Sequence, residues 1–184
     1  MSRSKIQFDY LLPLGDGLFE DGIKQLGGKI YKRNLSLNTI KKYKVLFSEF
    51  IDMGYEIIHF HADNFASKAT MGAKRAGFKA VITHCHNTRS PKVDNRCKDF
   101  LKRKLTSLYS DYHLAVSDEA GTWLFGKNNY QLAYAGINPE KFSFNESLRQ
   151  SVRSQLNIKD EDIVVGNVSR IYFEQKIKCF FCRL

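Results

Sequence analysis

Short apolar segments alternate with amphipathic stretches along almost the whole chain, joined by connections of only a few residues. Few folds accept that alternation, because strands separated by helices at such short range pair in parallel through right-handed crossovers. Ile6 to Leu12 reads as a strand, and Leu18 to Leu26 as a short helix with apolar Leu18, Phe19, Ile23 and Leu26, stopped by Gly27-Gly28. Lys29 to Lys32 follows as a strand. Asn38 is expected to cap a helix to about Asp52 with Tyr43, Leu46, Phe47, Phe50 and Ile51 on its apolar face, closed by Gly54. Tyr55 to Phe60 is then a strand, about Phe65 to Ala76 a helix ended by Gly77, and Ala80 to His84 a strand apolar on both faces.

The pattern continues with a basic helix near Asn95 to Tyr109, the strand His113 to Val116, a helix from Ser117 to Phe125 and a strand from Gln131 to Tyr134. After the Asn138-Pro139 turn come a helix near Glu146 to Leu156 and a strand from Ile163 to Val168. The fold class predicted is α/β, a parallel sheet with helices on both faces, Rossmann-like. In such sheets ligands bind beyond the carboxyl ends of the strands, so the residues just after each strand carry the chemistry.

With 184 residues, 43% of them hydrophobic, the chain has room for one good core at roughly 100 to 200 residues per domain. The short apolar run from Ile6 to Leu14 contains Gln7, Asp9 and Pro13 and cannot serve as a signal-peptide core, and no run is long enough for a bilayer span. A cytoplasmic location is expected. Four cysteines, Cys85, Cys97, Cys179 and Cys182, are too few and scattered for a disulfide framework. The Cys179-x-x-Cys182 spacing is redox-like, but no helix is expected behind it. Twenty-nine Lys and Arg against nineteen Asp and Glu give a formal charge of +10, which favours an anionic partner. Its richest stretch runs from Arg89 to Lys104 and suits either an anionic surface or the solvated face of a helix.

Four of the five histidines stand at two strand ends, in Ile58-His59-Phe60-His61 and Thr83-His84-Cys85-His86. An extended strand alternates its faces, so His59 and His61 point one way together, as do His84 and His86. The His-x-His pair beside Cys85 lacks the Cys-x-x-Cys or carboxylate company of a closed zinc site, so no metal is expected. Packing explains His59 and His84. His86 is the functional candidate, because Asn87, Thr88 and Ser90 surround it with partners suited to a sugar or phosphate. Farther on, Arg170 and Lys176 follow the last strand at a spacing that could grip a diphosphate, though such a pair is also common as solvated charge in a basic protein.

In order, Phe8-Asp9-Tyr10, Ile23-Lys24-Gln25-Leu26-Gly27-Gly28-Lys29-Ile30-Tyr31, Tyr55-Glu56-Ile57-Ile58-His59-Phe60-His61, His84-Cys85-His86-Asn87-Thr88, Val116-Ser117-Asp118-Glu119-Ala120-Gly121, Ala135-Gly136-Ile137-Asn138-Pro139-Glu140-Lys141-Phe142 and Val165-Gly166-Asn167-Val168-Ser169-Arg170 resemble the running pattern of family 4 glycosyltransferases, bacterial capsule and exopolysaccharide enzymes above all. The resemblance implies a two-domain GT-B enzyme that binds acceptor mainly on its first domain and nucleotide sugar mainly on its second. Such an enzyme transfers a hexose with retention of anomeric configuration, without metal or cofactor. It further implies that His86 is the catalytic-centre histidine and that Arg170 and Lys176 hold the donor diphosphate. The basic stretch Arg89 to Lys104 would then meet an anionic membrane bearing a lipid-linked acceptor.

Departures from the family pattern carry expectations of their own. A first strand and helix that usually precede the segment at Ser4 are missing, and Ala135 stands where the family commonly has Asn. The likeness stops after Lys176, and Ile177 to Leu184 reads as a tail foreign to the family, as a frameshift or truncation would leave. Residues 1–160 are therefore read as an incomplete acceptor-side domain, 161–176 as the first strand and loop of a donor-side domain, and 177–184 as the tail. Transfer activity of this chain alone is expected to be negligible. The alternative class is a basic nucleic-acid-binding α/β module. It would need aromatic residues interleaved with Lys and Arg on an exposed face, whereas most aromatics here fall at core-facing positions, so no nucleic acid is expected.

Overall fold

The structure is a computed structural model that describes residues 6–15, 17–61, 66–88 and 96–166. These residues form two compact units, Met1–Gly136 and Ile137–Leu184. The first is an α/β unit of six strands and five helices in strict alternation: β1 (Tyr10–Leu12), α1 (Glu20–Gln25), β2 (Ile30–Lys32), α2 (Ile40–Asp52), β3 (Ile57–His61), α3 (Ser67–Ala76), β4 (Ala80–Cys85), α4 (Arg96–Leu108), β5 (Tyr112–Ala115), α5 (Asp118–Phe125) and β6 (Gln131–Leu132). Every pairing is parallel. The strands divide into a two-stranded sheet, β1-β2, and a four-stranded sheet, β3-β4-β5-β6. The fold is Rossmann-like, as the alternation requires.

Capping residues explain where several elements begin and end. Ser117 accepts from the Ala120 N–H at the start of α5, and Gly77, at φ 106°, closes α3 with a conformation that favours glycine. Thr39, not Asn38, caps α2, its hydroxyl accepting from the Lys42 N–H, because the first helical turn begins one residue later than expected.

The main core lies where α2 and α3 cover the sheet, around Leu46, Phe47, Phe50, Ala69, Ala73, Phe78 and Val81. Phe47 stacks on Tyr43 and meets Phe60 and Phe78 edge-on, so the apolar face expected for this helix is the one buried. Gly72 permits the close crossing of the two helices, since a Cβ there would run into the Cβ of Tyr43. A smaller cluster, Cys85, Ala115, Ala120, Leu124 and Phe125, joins the ends of β4 and β5 to α5.

Buried polar groups are paired across elements. Thr83 and Ser110 share a hydroxyl hydrogen bond of 2.6 Å, and Ser110 donates onward to the Thr106 carbonyl at 2.7 Å. Tyr55 donates to Asp9 and meets Tyr31, 2.9 Å away, and burial followed by these bonds raises its hydroxyl pKa. This network links the start of β1 to the residues before β3.

Two expectations fail here. The helix α1 buries none of its residues, and Leu18 and Phe19 are 98% and 80% exposed, because no element packs over that face within the described residues. In the second unit, a 3-10 turn (Pro139–Phe142) leads to α6 (Glu146–Gln155), capped by Asn145, but Ile163 to Gly166 form no strand. A strand needs a pairing partner for its backbone, and residues 163–166 have none among the described residues, the last two residues of the expected strand lying outside them; Ile163, Val164 and Val165 are all exposed. No helix among the described residues is long and apolar enough to cross a membrane.

Candidate functional site

The edge of the sheet that should carry chemistry is the carboxyl end of β3 and β4. Parallel pairing of these strands sets Ile57 against Ala80 and, four residues on, His61 against His84. His59 lies two residues before His61 and therefore on the same face, and His86 lies two beyond His84. The four imidazoles consequently gather. Ring centroids of His59 and His61 are 4.3 Å apart, those of His84 and His86 4.5 Å, and those of His61 and His84 5.3 Å.

Hydrogen bonds set the orientation of the rings. Nδ1 of His61 lies 3.0 Å from Nε2 of His86, so one of the two donates to the other. Nε2 of His84 donates to the Ala133 carbonyl at 3.0 Å, which tethers β4 to the segment after β6. Nε2 of His59 is buried with no partner among the described residues. The turn carrying His86 is closed by the Cys85 thiol, whose sulfur lies 3.3 Å from the Asn87 carbonyl.

Burial, and then the neighbouring imidazoles, push the His59 pKa down to about 4; the same causes lower His61 and His84, with the Ala133 carbonyl opposing the fall at His84. The downward shift favours the neutral form of each ring, in which one nitrogen carries a lone pair for hydrogen bonding or ligation. His59, His61 and His84 each offer one ligand atom, and these atoms all lie within 4.8 Å of one another. The His84-x-His86 pair by itself does not disclose this set, because His59 and His61 enter it only through the register of two strands.

Of the candidates, His86, Asn87 and Thr88 are together, all exposed, in the turn that leaves β4. Ser90, Arg170 and Lys176 lie outside the described residues, as do Arg89 and Lys92 of the basic stretch. Within that stretch, Arg103 does not face outward as a solvated cation. Its guanidinium pairs with Asp99 at 3.2 Å, donates to the Trp123 carbonyl at 2.6 Å and lies over the Trp123 ring, fastening α4 to α5. Arg96, Lys98, Lys102 and Lys104 are exposed, interspersed with exposed Phe100, Leu101 and Leu108.

A groove of about 550 Å³ follows the end of β2, lined by Arg33, Asn34, Leu37, Lys41, Lys42 and Glu49 among others. Arg33 and Asn34 follow β2 directly, at the end of a strand.

No family model matches the chain, and no curated protein matches it. Among solved structures it is similar to Anabaena Alr3699/HepE in complex with UDP, at a TM-score of 0.60 and 15% identity, over 80% of this chain and 42% of that one. Structures of the same protein with UDP and glucose, and with UDP-glucose, align at a TM-score of 0.58 over the same shares. The chain thus spans well under half the length of the proteins it resembles, and at this identity the likeness concerns the fold.

Proposed function

We propose that this chain is the acceptor-side portion of a retaining, metal-independent family 4 glycosyltransferase of GT-B architecture. The enzyme transfers a hexose from a nucleotide sugar to a polysaccharide or lipid-linked acceptor in capsule or exopolysaccharide synthesis. His86 is the catalytic histidine of the donor-sugar site, Asn87, Thr88 and Ser90 contact sugar or phosphate, and Arg170 and Lys176 hold the diphosphate. The groove at Arg33 and Lys41 receives the acceptor, and exposed cations between Arg89 and Lys104 meet an anionic membrane surface. No resident cofactor takes part.

One observation carries the reading. His86 stands just past the carboxyl end of β4, oriented by its hydrogen bond to His61, at the edge where a parallel sheet of this kind binds its ligand. Further support comes from the fold likeness to a protein solved with UDP-glucose.

Saturation-transfer NMR of the full chain with UDP-glucose and with glycan acceptors tests the proposal. Saturation transfer to at least one of them, which reports binding and not turnover, diminished in His86→Ala or in Arg33→Ala, is the expected result. No saturation transfer to any nucleotide sugar or glycan, together with salt-dependent binding of a labelled oligonucleotide, would replace this reading with a nucleic-acid-binding module.

A further inference from the structure

We infer that His59, His61 and His84 form a binding site for a borderline divalent transition cation such as Zn²⁺ or Cu²⁺. The sugar transfer proposed above has no need of the ion, and the site stands on its own geometry. Imidazole nitrogen is a preferred ligand for these cations, while Mg²⁺ and Ca²⁺ want oxygen.

The ligand atoms of the three residues lie within 4.8 Å of one another. Zn–N bonds of about 2.0–2.1 Å in a tetrahedral shell put ligand nitrogens about 3.4 Å apart. Rotation about χ2, a soft and broad torsion for histidine, is the motion that closes that difference. The backbone already supplies the convergence, because His59 and His61 share a face of β3 and His61 sits in register with His84 of β4.

The surrounding hydrogen bonds prepare the rings for ligation. A ligating histidine ordinarily donates its second ring N–H to a carbonyl or similar acceptor, which fixes the tautomer and strengthens the ligating nitrogen. His84 does this through Nε2 to the Ala133 carbonyl, leaving Nδ1 for the ion. His61 is held through Nδ1 by His86, leaving Nε2. His59 adds a buried Nε2 with no hydrogen-bond partner among the described residues. An orphaned buried nitrogen costs folding energy, and a cation gives it a partner. Three protein ligands leave the remaining coordination positions to water or to an oxygen anion.

Zn²⁺ competition against a chromophoric chelator, with the full chain, decides the matter. One equivalent is expected to bind with a micromolar or tighter dissociation constant. His61→Ala, on an exposed side chain, and His84→Gln should each weaken binding by at least about tenfold. Cys97→Ser and the double variant Cys179→Ser/Cys182→Ser should leave it unchanged, and the Co²⁺ complex should show no sulfur-to-metal charge-transfer band. Zn²⁺ should raise the Tm of the wild-type chain but not that of His61→Ala, a readout that also shows the variant to be folded. Absence of saturable binding, binding undiminished by the histidine variants, or binding lost with the cysteines would each overturn the site.

Discussion

Nδ1 of His61 lies 3.0 Å from Nε2 of His86, although 25 residues separate them in the chain. The bond holds the imidazole beyond the end of β4 against one at the end of β3. His86 is thereby presented in one orientation, with the Cys85–Asn87 contact fixing the turn beneath it.

That orientation yields an activity prediction. The chain by itself should turn over no nucleotide sugar above background, since the proposed chemistry needs groups from both walls of a cleft. In a longer protein containing this segment, His86→Ala should lower kcat/KM roughly 100-fold or more, and His61→Ala roughly tenfold by misplacing His86. Radiolabelled hexose transfer measures both. Turnover by this chain alone, abolished by His86→Ala, would refute the need for a second half.

Two glycines within helices should respond oppositely to alanine. At Gly72 the new Cβ meets the Cβ of Tyr43 on α2, so overpacking of about 1–3 kcal/mol outweighs the gain in helix propensity of about 1 kcal/mol, and α2 and α3 separate. At Gly22 in α1 a Cβ meets nothing within 4 Å, so the propensity gain stands alone. Urea denaturation should show Gly72→Ala destabilised and Gly22→Ala unchanged or slightly stabilised.

Asp111 ties three elements together, accepting from the Val81 N–H at 2.7 Å and pairing with Lys74 at 2.6 Å. Burial raises its pKa, but the Lys74 and Val81 hydrogen bonds and the charges of Lys74 and His113 outweigh it, so the net shift is downward. A carboxylate with a depressed folded-state pKa contributes stability that is present above its unfolded value near 3.9 and is lost as pH falls through the folded value. Asp111→Asn should therefore cost about 1 kcal/mol at neutral pH, the pair being partly exposed. The gap to wild type should narrow below about pH 4. Thermal melts between pH 3 and 7 would show it, and a gap that stays constant would exclude the carboxylate as the cause.

Ile163, Val164 and Val165 expose a contiguous apolar run, with Val165 85% exposed, and their backbone pairs with no strand among the described residues. Such a segment associates with itself or with another strand edge. Size-exclusion chromatography should show concentration-dependent association that Val165→Lys reduces. A monomer at every concentration, resistant to protease through this segment, would contradict the prediction.

Much of the architecture was legible without coordinates because it depends on short-range patterning. The spacing of Tyr43, Leu46, Phe47 and Phe50 marks the buried face of α2, and Ser117 and Gly126 bracket α5 within a residue. The strand after residue 162 failed for the complementary reason: Ile163, Val164 and Val165 satisfy a strand's composition, while pairing is a property of a neighbour that composition does not supply.

The linear chain alone determined the order of strands and helices, and that four histidines would stand at two strand ends, since periodicity, capping and glycine stops are local. Only the tertiary structure decided that β3 and β4 pair with His61 opposite His84, that His59 completes a three-nitrogen cluster with them, and that Arg103 serves Trp123 and Asp99 rather than solvent. Register and burial arise from contacts between residues far apart in the chain. A one-residue slip of one strand against the other would preserve every local pattern and disperse the cluster.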